Sequence, residues 1–387
     1  MARPGRSNRG HPDGATEPGG VAVRLPPTRT GRESIVTRRL LAVVAAALSA
    51  VLFTAVPAAA GPLGALTQRA GQDACISKDG SGEGTAGACR TDAGMIAATN
   101  VVMAPDGRFV YIAGRSAQTL AGDLGIVMYA RDPQTGLLSV PAGTRCWQAK
   151  GAGGCADLRG RVVGDGQGAL AISADGRSAY GVDRDVFFSG GGGLLVFARN
   201  PETGALSQLP GTAGCHSSTG LGEEGPGTCT PARAMDSPSF VRISPDDRFV
   251  YVTDDNSLGV LTYARDPQTG ALTQLPGVDG CITKTGAGDG TPGACRAAPA
   301  FVSDVYGPLA ITPDGRHAYQ PDPNGVVLVF VRDPQSGVLT VPAGAAACMS
   351  QDGSGGACAD GRALLNPQGL AMGRDGRTLY VASSTAP

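Results

Sequence analysis

The chain has 387 residues, with 32 basic and 33 acidic side chains, a formal net charge of −1 and only three lysines. That balance speaks against nucleic-acid binding, which needs a basic surface. Sixty glycines and an aromatic content of 5% suit short strands with many loops, and the length allows a sizeable core.

Residues 1–35 are rich in Arg, Pro and Gly and lack apolar periodicity, so disorder is expected. Residues 36–60 hold Arg38-Arg39, the apolar run Leu40–Val56 and Pro57-Ala58-Ala59-Ala60. A basic flank, a short apolar core and small residues at its end describe a secretory signal peptide cleaved after Ala60. The competing reading is a single membrane anchor. A leader beginning this far inside the chain suggests that translation starts near Val36. Residues 61–387 then carry 24 basic against 30 acidic groups, with no stable membrane span after cleavage.

Gly64-Ala65-Leu66-Thr67-Gln68 has the same residue types as Gly270-Ala271-Leu272-Thr273-Gln274 and reads as an orphan outer strand. A repeat follows, clearest over Phe240–Gly277. There, runs rich in Val, Ile, Tyr and Thr alternate with the turns Pro245-Asp246-Asp247 and Asp266-Pro267-Gln268-Thr269-Gly270. The first turn places Asp106, Asp175, Asp246, Asp314 and Asp375 at spacings of 69, 71, 68 and 61 residues. Four short strands per repeat cannot bury both faces alone, so the chain is expected to be all-β: a β-propeller of four-stranded antiparallel blades. The blades are placed at 97–144, 166–212, 237–278 and 305–345, with a partial blade at 366–387. That arrangement reads as a truncated arc of a larger, seven-bladed ring.

All ten cysteines fall into pairs, one per repeat: Cys75 with Cys89, Cys146 with Cys155, Cys215 with Cys229, Cys281 with Cys295 and Cys348 with Cys358. Each pair is expected in the connection from a fourth strand to the next first strand. The even count, fixed register and exported context favour local disulfides over zinc, which would want tighter spacing or histidines. Asp79-Gly80-Ser81-Gly82 and Asp352-Gly353-Ser354-Gly355 lack a calcium-loop ligand ladder and read as turns.

Both hairpin turns lie on one rim, leaving the disulfide loops and second-to-third-strand loops on the other, where binding is expected. Asp165, Asp236 and Asp304 precede the inner strands on that rim. Asp183, Asp254 and Asp322 follow the second-strand tyrosine by three residues. They are candidates for ligand, cation or acid/base work, or else turn caps. Arg242 stands where other repeats have Val102, Ala171, Ala310 and Ala371. A charge in an inner strand needs an anion or an inter-blade partner. His317 follows a hairpin turn, His216 lies in a disulfide loop, and Trp147 either packs against a neighbouring loop or offers a stacking surface.

The segments Ile243-Ser244-Pro245-Asp246, Tyr251-Val252-Thr253-Asp254 and Tyr263-Ala264-Arg265-Asp266 resemble the YVTN-type lactonase family of seven-bladed propellers. That family includes 6-phosphogluconolactonases and carboxymuconate cyclases. The resemblance covers residues 61–387 and implies a site of His, Arg and Glu side chains in the central cleft, onto which Arg242 alone maps. Two functions follow. One is an extracellular or cell-surface scaffold that binds a small molecule, protein or glycan. The other is a lactone hydrolase or muconate-cyclase-like isomerase. No cofactor is implied. Peptide mapping without reduction is expected to return the five local linkages; free thiols or bonds between repeats would defeat the register argument.

Overall fold

The computed structural model describes residues 66–115, 124–149, 151, 154–160, 169–184, 192–222, 224–301 and 307–384. The chain divides into two units, Met1–Ala65 and Leu66–Pro387. The first, including the expected leader, lies outside the described residues. Among the described residues no helix is long and apolar enough to cross a membrane.

The second unit is all-β, built of repeated sheets stacked as propeller blades. The third sheet shows the plan. Pro238–Ile243, Phe249–Asp254 and Gly259–Arg265 form an antiparallel meander with the inner strand first. Asp266 makes the turn that follows, its Oδ1 accepting from Gln268 N at 2.8 Å and Thr269 N at 2.9 Å. Gly270 closes that turn with φ +76°, a conformation that favours glycine. The first sheet (Ala97–Met103, Phe109–Arg115, Leu124–Arg131), the second (Ala169–Ile172, Ser178–Asp183, Gly193–Arg199) and the fourth (Ala310–Ile311, His317–Asp322, Val326–Arg332) repeat the plan. A last, two-stranded sheet pairs Pro367–Met372 with Leu379–Ser383.

The outer edge departs from the expected single fourth strand. In the third sheet Leu272–Gln274 pairs with the end of Gly259–Arg265, a short 3-10 turn at Gly277–Gly280 follows, and Cys281–Thr283 pairs with the start of the same strand. The third strand is longer than Leu272–Gln274 and leaves its first residues free to pair, so after the turn the chain continues along the same edge in the same direction and pairs with them. Arg296–Ala297 then adds in parallel beside Cys281–Thr283. The sheets therefore extend past 144, 212, 278 and 345 into the disulfide loops.

All five expected disulfides are present: Cys75 to Cys89, Cys146 to Cys155, Cys215 to Cys229, Cys281 to Cys295 and Cys348 to Cys358. Their Cα–Cα separations run from 4.7 to 4.9 Å. Their setting corrects the expectation of bridges inside plain connecting loops. Cys146, Cys215, Cys281 and Cys348 open the strands that resume the outer edge, and Cys75 directly precedes the matching strand Ile76–Ser77. Cys89, Cys155, Cys229, Cys295 and Cys358 each directly precede the short strand that adds in parallel. A parallel pair of two or three residues has few hydrogen bonds of its own, and the bridge beside it holds the two strands in register. Cys89, Cys229, Cys295 and Cys358 are buried, so these sulfurs brace the sheet edge and do not face a ligand. The orphan outer strand is not formed over 66–68, where Leu66 is fully exposed; Gly64 and Ala65 lie outside the described residues.

Core clusters lie between consecutive sheets. Tyr111 and Met128 of the first sheet pack with Leu195 and Phe197 of the second. Leu194 and Val196, the alternate residues of that strand, pack with Val250, Leu261 and Tyr263 of the third. The middle strands are thus apolar on both faces, because each has a sheet on either side.

One polar arrangement recurs at these junctions. Arg265 Nε donates to Tyr180 Oη at 2.9 Å, its Nη2 reaches Asp175 at 2.8 Å, and Tyr180 Oη donates to the Gly270 carbonyl at 2.8 Å. Arg332, Tyr251, Asp246 and Gly337 repeat this one junction later, as do Arg199, Tyr111, Asp106 and Gly204 one junction earlier. The turn glycine has no room for a side chain: a Cβ on Gly337 would lie 2.2 Å from the Phe249 ring. Burial raises the carboxyls of Asp106, Asp175 and Asp246, but turn hydrogen bonds and the facing arginine outweigh it and hold all three below the usual range.

Arg265→Ala should cost about 3 kcal/mol, because it strands buried partners. Tyr180→Phe should cost about 1–2 kcal/mol, because the Gly270 carbonyl loses its donor. Denaturant unfolding of the two variants measures both; losses within error of zero would remove these contacts from the account of stability.

Candidate functional site on the disulfide-loop rim

In the third sheet the second-to-third-strand loop lies beside its own disulfide loop, with Lys284 N donating to the Leu258 carbonyl at 3.1 Å. Between the Cys215–Cys229 and Cys281–Cys295 loops the rim holds an open recess of about 580 Å³.

Four segments line the recess. Ser218 and Thr219 come from the earlier disulfide loop and Asp236 from the approach to the inner strand. Asn256 and Ser257 come from the second-to-third-strand loop, and Thr285 and Asp289 from the later disulfide loop. Asp289 Oδ1 accepts from Ala234 N at 3.1 Å, which ties the later loop to the segment that approaches the inner strand. Burial raises the Asp289 carboxyl above its usual range, and the nearby Asp236 charge adds to this. The Ser218 hydroxyl is buried without a hydrogen-bond partner. The surface offers hydroxyl, amide and carboxylate groups and no aromatic side chain.

Asp254 lies behind this wall, fully buried. Its Oδ2 accepts from Asp236 N at 2.8 Å and Ser237 N at 2.9 Å, and its Oδ1 from Ser257 N at 2.8 Å. The side chain thus fastens two recess-lining segments together. Burial is the main cause that pushes its pKa up to about 7; the Ser257 and Asp236 N–H donors oppose the rise, while the Asp255 and Asp236 charges add to it. Asp183 and Asp322, at the same register in the second and fourth sheets, are also fully buried. Asp322 Oδ1 accepts from Asn324 N at 2.9 Å, a turn cap.

Of the acidic residues before the inner strands, Asp236 lines the recess, whereas Asp165 and Asp304 lie outside the described residues. Arg242 is not on this rim. It pairs with Tyr251 near the Asp246 turn, six residues from Asp236, or about 20 Å along an extended strand. Its Nε donates at 2.9 Å to the Leu309 carbonyl, just before the inner strand of the fourth sheet, which gives it an inter-sheet partner. The guanidinium reaches solvent, yet surrounding protein lowers its pKa through desolvation.

His216 is buried against Tyr263, with ring centroids 5.1 Å apart, and burial lowers its pKa to about 4. A neutral, enclosed imidazole does not serve the rim. Trp147 is buried and its Nε1 donates to the Leu206 carbonyl at 3.0 Å, which makes it packing. Among the described residues no three His, Cys, Asp or Glu side chains gather to hold a metal ion. Sequence reasoning missed Ser218, Thr219, Asn256, Ser257, Thr285 and Asp289. Only the Gly288-Asp289-Gly290 step, where Asp289 takes φ +50°, hinted at a functional turn.

Asp254 makes stability depend on pH. Unfolded, its carboxyl titrates near 3.8; folded, near 7. Between those values the folded state keeps a proton that the unfolded chain has released, so stability falls as pH rises through the window. The melting temperature of Asp254→Asn, compared with the native protein, should therefore show its largest deficit near the acid end. The deficit should shrink toward about pH 7, with a slope of at most about 1.4 kcal/mol per unit. A difference that does not vary with pH would place this carboxyl in the ordinary range.

No protein-family model and no curated protein matches the sequence. Solved structures do. A functionally unknown protein from Desulfotomaculum acetoxidans is 13% identical over 74% of this chain and 65% of its own, with a TM-score of 0.41. The periplasmic gluconolactonase PpgL of Pseudomonas aeruginosa is 17% identical over 74% and 78%, at 0.39. Hydrazine synthase of Kuenenia stuttgartiensis is 15% identical over 73% of each chain, at 0.35. The chain thus spans 65% of the length of the first of these, and likenesses this loose carry no function across.

Proposed function

We propose that the protein is an exported, lactonase-like β-propeller that acts as a binding scaffold through its disulfide-loop rim. The observation that carries this reading is the polar recess between two disulfide loops, with Asp236 and Asp289 among hydroxyl and amide side chains. Those groups suit a ligand rich in hydroxyls, such as a sugar or the glycan of a larger partner. Rigid disulfide loops that hold such groups in place lower the ordering entropy lost on binding. Export is supported by the pairing of all ten cysteines, which persists in oxidising compartments.

Lactone hydrolysis is the second reading. One observation favours it: the Asp254 carboxyl has a pKa of about 7, the range a general base needs, beside a recess that could seat a cyclic ester. Asp254 would have to exchange its backbone donors for a water molecule to serve. Arg242, at the other end of its strand, would act only on a ligand in the central cleft.

The test is a titration of the purified protein against a panel of sugars, glycans and lactones, with turnover followed in parallel. Replacing Asp236 and Asp289 together by Asn should weaken binding by about tenfold or more, the worth of a hydrogen bond to a charged group. The melting temperature should change little. Stability lost with binding intact would make the two carboxylates structural. Lactone turnover that vanishes in Arg242→Ala or Asp254→Asn would favour the hydrolase.

A further inference from the structure

The five disulfides are not equally covered. Both cysteines are buried in Cys215–Cys229, Cys281–Cys295 and Cys348–Cys358, and Cys89 is buried in Cys75–Cys89. Cys146 and Cys155 are both only half-buried. The later bridges take their cover from the chain five residues past the preceding bridge. A Cβ on Gly160 would lie 3.0 Å from Cys215 Sγ, Ala234 packs on Cys281 and Cys295, and Ala300 packs against the cluster that holds Cys348 and Cys358.

Gly94 holds the covering position for Cys146–Cys155, but it meets an arginine: a Cβ there would lie 3.1 Å from Arg145 Nη2. Arg145 precedes its cysteine where the later bridges have Gly214, Gly280 and Ala347. Asp92 holds the guanidinium, its Oδ1 accepting from Nη2 at 2.7 Å and its Oδ2 from Nη1 at 2.9 Å. The covering segment therefore rests on Arg145 and not on the bridge. An open recess of about 530 Å³ lies beside both cysteines, walled by Gly143, Thr144, Arg145, Gly154 and Ala156. A Cβ on Gly143 or Gly154 would meet nothing within 4 Å, so the approach is clear. The Arg145 side chain is 21% exposed and that of Asp92 2%, so the ion pair shows the recess its positive end.

We propose that Cys146–Cys155 is a thiol-exchange site, where a small anionic thiol opens the bridge and is carried as a mixed disulfide while the protein stays folded. The thiolate attacks Cys155 Sγ, the S–S bond breaks, and its electron pair leaves on Cys146 Sγ, which takes a proton from water. A second thiol completes the two-electron reduction, leaving two protein thiols and the small thiol as its own disulfide. Positive charge at the recess draws the anionic thiol and stabilises the departing thiolate. The sheet edge does not depend on the bridge alone. Trp147, Gln148 and Ala149 pair with Ala156, Asp157 and Leu158, while Trp147 and Leu158 sit in the core between the first two sheets.

The test treats the native protein with reduced glutathione, traps free thiols with iodoacetamide and maps the peptides without reduction. Glutathione should appear on Cys155 and the trap on Cys146 at least about tenfold sooner than on any cysteine of the other four bridges. The rate should rise in proportion to glutathione and stay constant in urea too dilute to unfold the protein. In Arg145→Gln, the ratio of the glutathione rate to that of uncharged 2-mercaptoethanol should fall by about threefold or more. Exchange no faster here than at the other bridges, a rate that climbs with dilute urea, or an unchanged ratio in the variant would each overturn the proposal.

Discussion

Everything else in the fold hangs on one contact, the arginine that crosses each sheet junction. Its planar fork meets three groups at once: the tyrosine hydroxyl, the turn aspartate of the preceding sheet and a turn carbonyl of its own sheet. Arg199, Arg265 and Arg332 are almost fully buried, so each charge would be costly were any partner missing. The contact dictates the residues around it. The turn that receives the tyrosine hydroxyl must end in glycine, since Phe109, Ser178 and Phe249 occupy the space a Cβ would need at Gly204, Gly270 and Gly337. Lysine has the charge but not the fork, so it cannot take the place of these arginines.

Asp247 shows how strongly the junction shapes local structure. Gly107, Gly176, Gly315 and Gly376 hold the equivalent turn position with φ between +68° and +69°, and Asp247 adopts +60° there without being glycine. Its side chain accounts for the strain. Oδ1 accepts from Ala174 N at 2.9 Å in the preceding turn, and Oδ2 lies 3.3 Å from Arg265 Nη1. A left-handed non-glycine residue costs of the order of a kilocalorie per mole, and these inter-sheet bonds offset it.

The two rims divide the work. Hairpin turns on one rim fasten sheet to sheet and vary little. On the other rim the chain leaves the meander, and disulfides hold long Gly-rich loops that would otherwise sample many conformations. Buried carboxylates such as Asp254 serve that rim from below by fixing backbone, while Asp236 and Asp289 remain at its surface. The same residue type thus does two jobs, separated by burial and by how many N–H groups the local backbone leaves unpaired.

Much of this was legible in the sequence. The Asp-Pro-x-Thr-Gly and Pro-Asp-Gly-Arg turns, the strand runs between them and the cysteine register are local patterns, so the repeated sheets and the five disulfides could be read from spacing alone. The grouping of the disulfide loops on one rim followed from strand alternation. Tertiary structure decided the rest. Spacing paired Cys281 with Cys295, but only the folded edge shows that the bridge clamps two strands of the same sheet. Arg265 and Asp266 are neighbours in sequence, yet one is buried across a junction and the other caps an exposed turn; only stacking separates them. Arg242 and Asp236 looked like one cluster because both flank an inner strand, but the strand's extension carries them apart. The recess draws on four segments between Ser218 and Asp289, and no local pattern announces that they meet. Asp254 read as either a ligand group or a turn cap, and only the fold shows the three backbone donors it gathers. Turns and disulfides depend on residues close in the chain, whereas a binding surface depends on which loops the stacked sheets bring side by side.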